Sequence, residues 1–469
     1  MAPGGRPPHD CFDGIDMNER SFLFFFFMRR GAVAALLAGL SGAGFALDLV
    51  ASYEHALRAD PAMRAADQAV LAGREKAVQG DALLKPQVSL SASLTRVSEK
   101  SSVGTATGSS QSDTSGNVRQ LVVQLVQPLY DAKAGADRKQ LHQQTALAEV
   151  GWRDAQQDLV RRVAEAYFNV LLARETLRVA QAEKTAVAMQ RDRAQARFEV
   201  GRGRITDLQE AQARYDTVLA REVSAQSTLA LRQAHYRELT GMPAEGLAGL
   251  RAGFVPVPPQ PDSLEAWQAT GLDRNTRVQV RQGELVIAGV EIDKYKLGSR
   301  PSVDLVASLS RKGQNGSLSP AVSPDSARGV SVGVQLTVPL YAGGALDSRW
   351  RESIARKNQA EQELGVAQRE ARLQVQDAFL AVKTGVARIG ALEQSVLSAR
   401  TALEATTLGR DLGTRTELDV LDAQQRLYAA ELDLAQAKND YLLGRVRLAS
   451  AAGELREDDL RALNGYLVR

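Results

Sequence analysis

The sequence predicts an α+β membrane protein whose chains pool their strands into a β-barrel and continue it as a long α-helical barrel. Three observations carry that expectation. One plan of helix, two strands, long helix and helix is built twice along the chain. Four segments alternate apolar and polar side chains over about ten positions each, the period of a strand with two unlike faces. The segment from Asp131 to Val200 reads as one helix of about 70 residues, which at 1.5 Å rise is about 105 Å long and far beyond an ordinary globular helix.

The duplication is clearest at Val200-Gly-Arg-Gly-Arg-Ile-Thr-Asp-Leu-Gln-Glu-Ala-Gln212 and Leu412-Gly-Thr-Arg-Thr-Glu-Leu-Asp-Val-Leu-Asp-Ala-Gln424. Matching Gly201 to Gly413 sets an offset of 212, at which Asp207 meets Asp419, Ala211 meets Ala423 and Gln212 meets Gln424. The register holds to Gly241 and Gly453. Each copy is a Gly-bearing turn followed by a helix with acids in its first turns, the mark of a repeating ring or bundle.

Residues 1–46 read as a leader. Met28-Arg-Arg is a basic n-region, Ala32 to Leu40 an apolar core, and Gly44-Phe45-Ala46 a small-x-small cleavage site, so 28–46 is the expected functional signal and cleavage follows Ala46. Cys11, the one cysteine, leaves with the leader. The exported chain then has no disulfide, no thiolate metal site and no lipid-anchor cysteine. A net charge of +3 is too weak to argue for nucleic acid. His55, His142 and His235 lack metal-ligand spacing, and no nucleophile elbow or phosphate loop appears. Neither an enzyme nor a cofactor is expected.

The first structural repeat is assigned to 47–241. A helix runs from Leu47 to Leu84, and Lys85-Pro86 ends it. Strand 87–97 sets Val88, Leu90, Ala92 and Leu94 against Gln87, Ser89, Ser91, Ser93 and Thr95. The Ser/Thr/Gly stretch Ser101 to Asn117 reads as a solvated loop. Strand 118–127 sets Leu121, Val123 and Leu125 against Gln120 and Gln124, and Pro128-Leu129-Tyr130 closes it. After the long helix and the Gly201 turn, a helix from Thr206 to Leu239 carries inward positions Leu208, Ala211, Tyr215, Val218, Ala225, Leu229, Tyr236 and Leu239. A Pro-rich linker, 242–262, separates the repeats.

The second repeat is assigned to 263–453. A helix from Leu264 to Gly298 precedes Arg300-Pro301, followed by strand 302–310, a loop with Gly313, Gly316, Pro320 and Pro324, and strand 330–338. Pro339-Leu340-Tyr341 repeats the earlier Pro-Leu-Tyr, and another long helix runs to Leu412. Its partner helix has the seam Val420, Ala423, Leu427, Ala430, Leu434, Ala437, Tyr441, Gly444, Leu448 and Ala451. Every step is three or four, the seven-residue period of supercoiled helices. Residues 454–469 form a C-terminal tail without assignment.

Ten-residue strands are long enough to cross an outer-membrane hydrocarbon layer when tilted. Four cannot close a barrel, and an open sheet edge in lipid costs several kcal/mol per unpaired backbone group. Two chains would give eight strands, a barrel filled by side chains, whereas three give twelve and leave a lumen. Lys85, Pro86, Arg300 and Pro301, with Tyr130 and Tyr341 on the return strands, suit the periplasmic headgroup boundary. The competing reading of the strands is a soluble β-sandwich edge.

The doubled Pro-Leu-Tyr, Val200-Gly-x-x-x-Ile-Thr-Asp-Leu-Gln, Leu412-Gly-Thr-Arg-Thr and Leu418-Asp-Val-Leu-Asp-Ala resemble the TolC family of trimeric outer-membrane channel proteins, over essentially the whole mature chain. The resemblance implies a TolC-like twelve-stranded trimeric barrel on an α-helical tunnel closed at its lower end by coiled-coil periplasmic tips, in the outer membrane of a Gram-negative bacterium. It implies a homotrimer recruited by a periplasmic adaptor and an inner-membrane ABC transporter or proton-driven pump. Type I secretion of a large protein is the first expectation, small-molecule efflux the second, and a periplasmic coiled-coil scaffold without a pore the alternative of another class.

Asp419 and Asp422 lie three apart, hence on one helical face. In three chains they give a ring of carboxylates favouring cations, and by resemblance they are the constriction aspartates. Acids there also complement the helix dipole. Thr206 and Asp207 in one copy and Arg415 in the other resemble the family's gating contacts, although Thr206-x-x-Gln209 also fits a capping box with Thr206 as N-cap. The family's gating tyrosine falls at Arg410, for which an ion pair with Asp207 is expected instead.

Overall fold

The computed structural model describes residues 47–468 apart from 107, 252 and 316–325. The leader 1–46, with its signal and cleavage site, lies outside the described residues, as do Gly316, Pro320 and Pro324.

Along the described residues the order is α1 (Leu49–Ala59), α2 (Pro61–Ala82), β1 (Gln87–Thr105), β2 (Gly108–Tyr130), α3 (Ala132–Glu199), α4 (Ile205–Thr240), α5 (Leu264–Arg274), α6 (Thr276–Leu297), β3 (Ser302–Gln314), β4 (Ser326–Thr337), α7 (Ala345–Asp411), α8 (Glu417–Ala451) and α9 (Glu457–Asn464). The repeat is visible in the lengths. Helices of 11, 22, 68 and 36 residues in the first half answer helices of 11, 22, 67 and 35 in the second.

Both helices expected to run unbroken into the strands are divided. Asp60 leaves the helical conformation and its carboxylate accepts from Met63 N at 3.3 Å, with Pro61 at the first helical position, where a missing N–H costs nothing. Asn275 does the same in the second half, accepting from Arg277 N and Val278 N at 3.0 and 3.3 Å. A capping side chain flanked by apolar periodicity on both sides thus ends one helix and starts another.

Of the stretch 101–117, expected to be a loop, residues 101–105 and 108–117 are strand instead. β1 and β2 pair without a slip from Gln87↔Val126 to Thr105↔Gly108. Cross-strand backbone hydrogen bonds do not require apolar side chains, and Ser and Thr fit a solvated ladder. β3 likewise runs past 310, and β4 starts at Ser326 and stops at Thr337 rather than spanning 330–338. The sheet is antiparallel in the order β1-β2-β3-β4, so β1 and β4 are both edges.

Helix hairpins α3/α4 and α7/α8 close on the expected seams. Ala211, Val218, Ala225 and Tyr236 are buried on α4, and Val420, Ala423, Leu427, Ala430, Ala437, Tyr441, Leu448 and Ala451 on α8. The main core lies part-way along these helices, where α1, α9 and the Pro-rich linker wrap them. Tyr167, Tyr236 and Tyr441 are fully buried there, and each hydroxyl finds a partner, as a buried phenol must. Tyr167 donates to Ala248 O at 2.8 Å, Tyr441 to Val257 O at 2.7 Å, and Tyr236 shares a 2.6 Å hydrogen bond with Ser52. The linker is therefore tied down rather than free. The tail has a place too. Leu460, Leu463 and Leu467 join the core. Asn464 donates to Asp48 at 2.6 Å and accepts from Leu49 N at 3.0 Å.

Candidate functional site: a lipid-facing sheet and two helical tips

Partners across an antiparallel ladder share a face. Val88, Leu90 and Ala92 stand opposite Leu125, Val123 and Leu121. Val123 and Leu125 stand opposite Leu309 and Ala307, and Leu305, Ala307 and Leu309 opposite Val334, Val332 and Val330. All four strands therefore put their apolar residues on one side, in one band. Its side chains are open to the surroundings, Leu90 at 68% and Val330 at 77%. From Val88 to Leu94 the band is about 20 Å tall, the scale of an outward-facing hydrocarbon belt once the strands tilt. The other face carries Ser89, Ser91, Ser93, Gln120, Gln124, Ser308, Ser331 and Gln335 among a few valines, and Ser308 and Ser331 share a 2.8 Å hydrogen bond. Among the described residues no helix is long and apolar enough to cross a membrane.

Strand direction brings the boundary residues to one end of this sheet. Lys85 and Pro86 lead into β1, Tyr130 ends β2, Arg300 and Pro301 lead into β3, and Tyr341 follows β4. All six are exposed.

At the far end of the hairpins two tips are built alike. Gly201 and Gly413 adopt φ of +71° and +80°, a left-handed conformation that glycine takes without a Cβ clash. Arg202 N donates to Arg197 O at 2.8 Å, and Thr414 N to Gly409 O at 2.8 Å. These six-to-one bonds are the Schellman closure of a helix C-terminus.

Beyond the turns the copies diverge. Thr416 is the N-cap of α8, and Asp419 answers it in a reciprocal capping box at 3.2 and 2.8 Å. Hydrogen bonds from the Thr416 N–H and hydroxyl, with the charges of Arg415 and Arg426, hold the Asp419 carboxyl below the usual range. Thr206 does not cap α4. The helix begins at Ile205, so the N-cap is Arg204, the counterpart of Thr416, and it makes no side-chain capping bond. Thr206, Asp207 and Glu210 are exposed.

The expected Arg410–Asp207 pair is not formed within the chain. The guanidinium of Arg410 is held inside its own tip, 2.7 Å from Asp411 and 3.6 Å from Glu417, with its side chain 11% exposed. Arg415 lies 3.9 Å from Asp419. The contact that does join the two hairpins was not legible as such. Arg214 on α4 donates to Asp422 Oδ1 at 2.5 Å and to Gln425 Oε1 at 2.6 Å on α8. Among the described residues it is the ion pair nearest the tips that crosses between hairpins. Behind it, Val187, Val218 and Leu421 form a small buried cluster against Tyr215.

A sheet that is apolar on one side and open at both edges, joined to paired helices far too long for a globular core, defines an outer-membrane channel protein. The chain belongs to the outer membrane efflux protein family, whose model matches residues 52–242 and 272–454. It is 31% identical over 435 residues to outer membrane protein TolC of Vibrio cholerae, covering 93% of this chain and 97% of that one. It is 33% identical over 438 residues to the alkaline protease secretion protein AprF of Pseudomonas aeruginosa, covering 92% and 90%. The fold is that of the Campylobacter jejuni CmeC outer membrane channel, with a TM-score of 0.75 at 17% identity over 89% of each chain. The protein is thus a TolC-like channel of the Gram-negative outer membrane, extending into the periplasm.

Proposed function

We propose that three copies pool their sheets into a twelve-stranded barrel and serve as the exit duct of a tripartite export machine. The alignment of apolar residues from all four strands carries this reading. A face so continuous belongs in lipid, where the unpaired edges of β1 and β4 have no water to satisfy them, and further copies supply the missing strands. The duct is passive, and docking of a periplasmic adaptor and an inner-membrane transporter opens it. Type I secretion of a large protein is the favoured task, supported by the likeness to AprF, a protease secretion protein. Efflux of small compounds is the second, since a Brucella suis relative, 27% identical, is the outer membrane efflux protein BepC.

Asp419 and Asp422 form the acidic collar in this reading. Arg410 and Arg415 brace the α7/α8 tip, and Arg214 ties α8 to α4. Conductance in planar bilayers tests the assignment. Purified wild-type trimer gives small, cation-selective steps, and Arg214→Ala, Arg410→Ala and Arg415→Ala each enlarge them. Variants conducting no more than wild type place the gate elsewhere. A chain that gives no steps and purifies as a water-soluble monomer is a scaffold.

A further inference from the structure

At its outer end the apolar band stops at the same kind of residue on every strand. The next position on the same face after Leu94 is Arg96 on β1, and before Leu121 it is Arg119 on β2. After Leu309 it is Arg311 on β3, and before Val330 it is Arg328 on β4. Arg311 stands directly opposite both Leu121 and Arg328, and Arg119 directly opposite Leu94. The four arginines thus lie two residues, about 7 Å, beyond the last apolar side chains. All four are exposed, and none forms an ion pair within 4.0 Å among the described residues.

Such an arrangement is unfavourable as it stands. Arg311 and Arg328 are directly opposed across the ladder, where like charges repel, and among the described residues no carboxylate pairs with any of the four; Asp113, further out, is taken by Lys100 at 3.8 Å. An anion between the guanidinium groups removes the repulsion. The inner end of the sheet carries two cations, Lys85 and Arg300, on the approaches to β1 and β3 rather than one on each strand. The girdle therefore belongs to the outer rim.

We infer that Arg96, Arg119, Arg311 and Arg328 form a docking surface for the phosphate groups of outer-leaflet lipids. The occupant is defined by both halves of the surface. A phosphate takes two parallel N–H donors from a planar guanidinium, and acyl chains lie on the apolar band immediately below. A soluble phosphate satisfies only the first half, and a neutral lipid only the second. The inference rests on the sheet standing in the outer membrane, not on which cargo passes through it. Around a closed trimer the girdle is continuous and anchors the barrel at a fixed height.

Native mass spectrometry of the purified channel in detergent tests this, with diphosphorylated lipid A, its dephosphorylated form and inorganic phosphate as probes. Wild-type channel retains lipid A in preference to the dephosphorylated form, and inorganic phosphate neither binds detectably nor competes. Each Arg→Gln substitution in the girdle weakens retention about fivefold, the equivalent of about 1 kcal/mol per surface cation. Lysine at the same positions restores part of it. Lys85→Gln with Arg300→Gln, at the opposite rim, leaves it unchanged. Single-channel steps from Arg311→Gln show that the variant is folded. Equal retention of both lipid forms, displacement by inorganic phosphate, or wild-type retention by a conducting Arg311→Gln, Arg328→Gln variant overturns the inference.

Discussion

Asp60 does two jobs within one side chain. It caps α2, and it accepts from Arg162 at 2.6 Å with only 7% of its side chain exposed. Burial alone pushes its carboxyl up, but the hydrogen bond and charge of Arg162 and the N–H groups of Ala62 and Met63 outweigh that and hold it below its ordinary value. A carboxyl depressed in the folded state stabilises fully above its unfolded pKa, and the contribution disappears as pH falls through the folded value. The window is therefore acidic, below about pH 4, and the sloping loss of stability there is expected to shrink in Asp60→Ala. At neutral pH the same substitution leaves Arg162 without one of its two carboxylates and is expected to cost about 3 kcal/mol, read from the unfolding midpoint in denaturant. Thr416→Ala, which removes one half of the capping box, is expected to cost about 1 kcal/mol, with faster amide exchange confined to the start of α8. Caps of this kind are visible in sequence only where one reading survives. Thr206 heads a plausible capping pattern, but α4 and α8 start at equivalent positions, so the N-cap place that Thr416 fills in the second copy belongs to Arg204 in the first.

At the scale of elements, periodicity proved sufficient wherever it opposed apolar to polar residues. The α8 seam was legible because steps of three or four bury Leu, Val, Tyr or Ala against a neighbour, although Leu434 is only partly buried and Leu421, Leu442, Leu443 and Val446 are buried beside the expected line. The outer half of the β1/β2 hairpin was not, because Ser, Thr and Gly on both faces erase the contrast while the backbone ladder continues. Helix breaks at Asp60 and Asn275 were missed for the opposite reason: hydrophobic spacing resumes beyond them, and only the capping geometry interrupts. The tips were legible through their glycines. Gly201→Ala and Gly413→Ala force a Cβ into a left-handed conformation and are expected to cost about 1–2 kcal/mol each. Hydrogen exchange at the last turns of α3 and α7 reads the fraying, with the core tyrosine region unaffected.

For the whole molecule, the decisive quantity is the match between the band and its solvent. Val332→Arg places a charge in the middle of the apolar face and is expected to cost about 2–4 kcal/mol in the bilayer, lowering the yield of heat-modifiable trimer in outer-membrane fractions. Ser331→Arg, one residue away on the opposite face, is expected to leave assembly intact and to alter conductance. If both are tolerated equally, the sheet does not stand in lipid.

By itself the sequence determined the duplication, the four strands and which residues of each strand oppose the others, because these depend on chemistry recurring at short, fixed intervals along the chain. Only the tertiary structure decided that the four faces coincide, that four separate arginines share one rim, and that Arg410 turns into its own tip while Arg214 reaches Asp422. Those facts depend on register between strands and on contacts across 208 positions. No local periodicity encodes such pairings, since they follow from how whole elements pack.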